Sequence, residues 1–195
     1  MSSPMTVINY PRHFGYLALG AIVVFAVMRL REDDEFTYLL LNGFLHAAAL
    51  VCALRCAATW LRRALFAAIA PALSFAALYV VTLVPSVASQ FFGFCLVSVI
   101  GATSYWCLVR AFWIHKLTAF SLLRAVSLST TVTLVWALTF HHSLFFAIKP
   151  LILTIHTLCW WLAFSFSLYL SERASPPVAQ IWRPMCRRNR REDGQ

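Results

Sequence analysis

Acidic residues are scarce in this chain, and charge of either sign is thin. Only 12% of its 195 residues are charged, and seven are acidic, whereas soluble domains carry about 25% charged residues. Four of the acids form the run Glu32, Asp33, Asp34 and Glu35, and the others are Glu172, Glu192 and Asp193. None falls inside an apolar stretch, which argues against solute coupling through an intramembrane carboxylate. The six cysteines (Cys52, Cys56, Cys95, Cys107, Cys159 and Cys186) include no C-x-x-C pair. Five of them sit in apolar stretches, where a thiol packs as a small hydrophobe, so neither a disulfide framework nor a zinc site is legible. Hydrolase signatures such as G-x-S-x-G and H-E-x-x-H are missing, as are phosphate-binding loops. Short loops leave no room for an ATPase or a sizeable catalytic domain.

What remains is apolar. Residues of hydrophobic type make up 61% of the chain and mean hydropathy is +0.75. A soluble fold of this size cannot hide so much apolar surface, whereas a bilayer requires no hiding. The expected fold class is all-α, a polytopic membrane bundle of six transmembrane helices. The spans are predicted at about 14–30, 36–60, 64–84, 91–114, 117–140 and 144–170. Each is close to the ~20 residues a helix needs across a ~30 Å core. Residues 1–13 form an N-terminal arm. The first run has only a weakly charged flank and no A-x-A cleavage site, unlike a signal peptide. The acidic run suits the positive end of the second helix's dipole better than a calcium site. Ala68, Ala72 and Ala76 give the third span a small-residue face for close helix packing. Residues 171–195 form a basic tail, expected to be disordered, ending near Arg187, Arg188, Arg190 and Arg191.

The net charge of +9 points to lipid rather than nucleic acid once its placement is considered. With six spans both termini share a side. Thirteen of the sixteen Lys and Arg residues fall there, against Arg29, Arg31 and Lys149 opposite. By the positive-inside rule both termini face the cytoplasm, in a multi-pass protein of the cell membrane. The tail arginines reinforce this orientation and contact anionic headgroups.

Two stretches resemble each other. Residues 65–73 read LFAAIAPAL and residues 144–152 read LFFAIKPLI, matching at five of nine positions. A weaker echo pairs residues 43–50 with 121–128, setting His46 against Arg124. Three spans per unit would insert the halves in opposite senses, the inverted-repeat plan of many transporters. Pro71 and Pro150 would then be equivalent helix breaks exposing polar backbone.

Ionisable groups within spans are site candidates by default. His46 and His156 are expected at similar depth near the midplane, with Asn42 one turn above His46 on its face. If neighbours, the two imidazoles could bind metal, ligate one haem or relay protons. The bland alternative is two core histidines satisfied by hydroxyls or carbonyls. Arg124 shares a helix face with Ser121, Ser127 and Thr131, which suits a water-facing groove; the alternative is snorkelling to headgroups. Lys149 precedes Pro150 near the outer surface. The first functional reading is binding or translocation of a small polar or anionic solute between two three-helix halves, lined by Asn42, His46, Arg124, Lys149 and His156. A second is a non-catalytic subunit or assembly factor docking other membrane proteins. A third is a haem b redox protein using His46 and His156. Beyond that, no cofactor or metal is expected, and no catalytic residue is singled out.

Overall fold

The computed structural model describes residues 6–30, 35–55, 58–82, 88–140 and 149–174. Their regular structure is helical: α1 (Tyr10–Leu30), α2 (Glu35–Ala53), α3 (Trp60–Thr82), α4 (Ala88–Phe112), α5 (Ala119–Phe140) and α6 (Lys149–Ala174). Four segments, Tyr10–Leu30, Phe92–Phe112, Ala119–Thr139 and Leu151–Ala174, are long and apolar enough to cross a membrane. The architecture is therefore all-helical and consistent with a membrane bundle. The tail arginines and most of the second twin stretch (144–148) lie outside the described residues.

Local chemistry sets the helix starts at one end of the bundle. The Asn9 carbonyl accepts the His13 amide at 2.9 Å, and Pro11 falls in the first turn, where its missing N–H is no loss. This is why α1 begins at Tyr10, inside what the sequence suggested was an arm. Thr59 and Thr118 do the same for α3 and α5. The Thr59 carbonyl accepts the Arg63 amide at 3.2 Å and the Thr118 carbonyl accepts the Leu122 amide at 3.1 Å. The Thr118 hydroxyl also accepts the Ser121 amide at 3.3 Å. Each is a favoured N-cap type, typically worth about 1 kcal/mol over alanine.

Each helix packs on its neighbours in sequence, and α1 closes the circle against α6. The ring is not hollow. Trp161 of α6 stacks on His46 of α2 at 4.0 Å and meets Tyr105 of α4 edge-on at 4.6 Å. Phe164 meets Tyr105 at 5.3 Å. Phe66 of α3, fully buried, is walled by Tyr105, Phe112 and Trp113. Aromatic side chains from α6 and α4 thus fill the centre at the level of these residues.

The ring order bears on the repeat. A two-fold axis in the membrane plane turns one half over and reverses the sense in which its helices follow one another. Here α4, α5 and α6 continue around the ring in the same sense as α1, α2 and α3. That is not the arrangement an inverted three-plus-three repeat produces. Pro71 does not break α3, which runs through it from Trp60 to Thr82. Pro150 is the second residue of α6, where proline is tolerated. Nor do Ala68, Ala72 and Ala76 mediate the ring's packing. All three are exposed, and Phe66, Ala70 and Pro71 face inward instead.

Candidate functional site

The ends of the bundle differ in charge. One end gathers the starts of α1, α3 and α5 with the ends of α2, α4 and α6, and so carries Arg12, Arg55, Arg62, Arg63, Arg110, His115, Lys116, Arg124 and Arg173. Here the chain makes a clasp. Ile8 pairs with Leu54 in an antiparallel bridge. The Asn9 amide donates to the Ala53 carbonyl at 2.8 Å and the Arg55 amide to the Val7 carbonyl at 2.9 Å. Glu172, in the last turn of α6, completes it by accepting the Val7 amide at 2.9 Å. Arg55 lies close enough to interact electrostatically with that carboxylate.

From the clasp a line of polar side chains descends between α1, α2 and α6. Glu172 and Tyr10 stand at its mouth. The buried Tyr10 hydroxyl faces the buried Oε1 side of the Glu172 carboxyl group, and the two are each other's hydrogen-bonding neighbours. One turn deeper in α1, His13 Nε2 is 2.8 Å from Ser165 Oγ, and the buried ring also faces the Ala49 carbonyl. His13 in turn lies close enough to His46 to interact with it electrostatically. His46 Nδ1 is 2.6 Å from the Asn42 carbonyl. A carbonyl can only accept, so Nδ1 carries the proton and donates. Nε2 is left with no partner in a residue only 5% exposed. The stack on Trp161 fixes the ring plane. From Glu172 to Trp161 is eleven residues of one helix, about 16 Å at 1.5 Å per residue. That is roughly half of a ~30 Å hydrocarbon core.

Buried polar atoms in folded proteins are almost always hydrogen-bonded, and each exception calls for an explanation such as water, an ion or a functional role. His46 Nε2 is such an exception, on a seam that also holds the buried side chains of Glu172, Tyr10 and His13. All four side chains can give or take a proton. A second buried atom without a partner, Tyr105 Oη, belongs to a ring packed on Trp161 at the seam's foot.

The residues singled out from sequence do not converge. His46 and Asn42 are in the seam. His156 faces α5, with Nε2 at 3.3 Å from Thr133 Oγ1 and its ring 4.6 Å from Trp136. The two histidines therefore have separate surroundings and do not form a facing pair of axial ligands. Arg124 lies over the Phe120 ring at 4.9 Å, and Phe120 is exposed. Its expected groove is divided: Ser121 turns inward to Trp106 and the Thr118 carbonyl, while Ser127 and Thr131 are exposed. Lys149 begins α6 at the opposite end, its side chain outside the described set. Among the described residues no group of three or more His, Cys, Asp or Glu side chains could hold a metal.

Glu172, Tyr10 and His13 were missed because the sequence put them in terminal segments. The available signal was spacing. Tyr10 and His13 are three apart and Ser165 and Glu172 seven apart, each pair on one helix face. Compared with known families, characterised proteins and solved structures, the chain matches none.

Proposed function

We propose that this protein spans the cell membrane six times with both termini in the cytoplasm, and that it conducts protons across the bilayer along a route whose described part runs from the cytoplasmic side to His46. The orientation rests on the thirteen-to-three distribution of Lys and Arg and the positive-inside rule. What supports the rest is the seam of buried, proton-bearing side chains of Glu172, Tyr10, His13 and His46, which ends on the unpartnered Nε2 of His46. Such a file suits a proton or proton-bearing water, each side chain being able to take up and pass on a proton. His46 is the end of the described route, held by Asn42 and Trp161 with one nitrogen open.

This reading keeps the solute class small and polar and drops the anion, since Arg124 and Lys149 are away from the seam. It also replaces the expectation that carboxylates play no part, because Glu172 faces the bundle. The subunit reading rests on exposed helix faces and on the basic tail, the latter outside the described residues. Haem between His46 and His156 is disfavoured by their separate surroundings.

The test is proton flux into vesicles holding a pH-sensitive dye, driven by a potassium diffusion potential. Wild-type protein is expected to dissipate the gradient faster than empty vesicles. His46→Ala and His13→Ala should each slow it by about tenfold or more, the scale on which removing one proton-transfer group acts. Equal rates for wild type and empty vesicles, or for wild type and both variants, would sink the proposal.

A further inference from the structure

We propose a second site, at the C-terminal end of α4, that binds the phosphate of an anionic phospholipid headgroup. It rests on the membrane reading but is independent of the seam. A recess of about 420 Å³ is lined there by Trp106, Cys107, Arg110, Ala111 and His115, within the usual size range of ligand pockets.

Charge is the first argument. Arg110, His115 and Lys116 are exposed within two turns of chain. Of the two acidic residues in the described segments, Glu172 is engaged with Val7 where α6 meets α1, and Glu35 opens α2 at the other end of the bundle. Preorganisation is the second. The Trp106 indole N–H donates to Ser121 Oγ at 3.0 Å, which fixes the ring, and Arg110 lies over it at 5.3 Å. Stacking uses the guanidinium's face and leaves its N–H edge for a forked bond to phosphate oxygens. The third concerns the helix end, whose bare carbonyls would repel an anion. The Phe112 carbonyl accepts the Arg62 guanidinium. The Val109 carbonyl accepts the Trp113 and Ile114 amides at 2.8 and 3.0 Å.

A lipid fits better than a free anion because two walls of the recess, Cys107 and Ala111, are exposed. They continue along α4 into exposed Val99, a strip on which an acyl chain can lie.

The test is native mass spectrometry of the full chain in neutral detergent, with phosphatidic acid, phosphatidylcholine and inorganic phosphate as probes. Wild type should retain phosphatidic acid at least about tenfold over phosphatidylcholine, and the double variant R110Q/H115Q should lose that preference. R29Q, at the other end, should behave as wild type. A second readout needs no variant. Maleimide labelling of Cys107, a free and exposed thiol, should slow by about fivefold or more in phosphatidic acid bicelles relative to phosphatidylcholine, with exposed Cys52, in the last turn of α2 at the same end, as reference. A double variant that keeps its preference, or a Cys107 rate indifferent to lipid, overturns the proposal. Displacement of the lipid by an equal concentration of inorganic phosphate assigns the site to the free anion and overturns the lipid.

Discussion

Removing the Glu172 carboxylate should unhook the N-terminal clasp without disturbing the ring. Glu172 accepts the Val7 amide at 2.9 Å in a partly buried setting. A hydrogen bond to a charged group contributes about 1.5–3 kcal/mol net, and part exposure favours the lower figure. At 1.4 kcal/mol per decade, Glu172→Ala should cut protection of the Val7 amide by about tenfold. The loss should spread, because Val7 also accepts the Arg55 amide and Asn9 donates to Ala53 in the same short ladder. Amide hydrogen exchange in nanodiscs reads all three sites at once. Val7, Asn9 and Arg55 should exchange faster together, while amides in the middle of α4 keep their wild-type rates. Glu172→Gln retains an oxygen acceptor but loses the charge, so its effect should fall between. Unchanged exchange at Val7, Asn9 and Arg55 in Glu172→Ala would refute the clasp. Uniform loss of protection across all six helices would refute its local character.

Further outcomes follow from the aromatic centre. Ser98→Ala leaves the Trp160 indole N–H, now bonded at 2.8 Å, without its acceptor and should cost about 1–3 kcal/mol, read as a lower thermal midpoint in detergent. Trp161→Ala removes the ring that His46 and Tyr105 pack on; a loss of about 3–5 kcal/mol is expected for such a truncation, and a midpoint close to wild type would argue that the centre is loosely packed. At Gly101 an added Cβ would meet Trp160 at 3.8 Å, ordinary contact distance, so Gly101→Ala should be neutral or stabilising by up to about 1 kcal/mol from helix propensity. Marked destabilisation would mean that α4 and α6 lie closer than described here.

Composition and apolar run lengths made the helical class legible, because the bilayer's demand on backbone hydrogen bonds leaves few alternatives. Helix order around the ring was not legible, since in lipid packing depends on shape rather than on a hydrophobic stripe. That is why a small-residue face at Ala68, Ala72 and Ala76 proved exposed. His46 was legible as an ionisable group deep in an apolar run. Its companions were not: His13 and Glu172 sit within a turn or two of helix ends, where polar residues are unremarkable unless the neighbouring helices are known. Arg124 and His156 were conspicuous for the same reason as His46, yet an arginine on an aromatic face and a histidine beside Thr133 have their own partners.

The central claim is that the seam admits protons from the basic end to His46, and deuterium exchange at the imidazole C2 positions tests it most directly. Exchange passes through the imidazolium, so each rate is first scaled for that ring's own basicity. If the seam is open, His13 and His46 should then exchange within about tenfold of exposed His115, opening and exchange being linked by free energy. If both scaled rates are more than about a hundredfold slower than that of His115, the seam is sealed and the account is wrong.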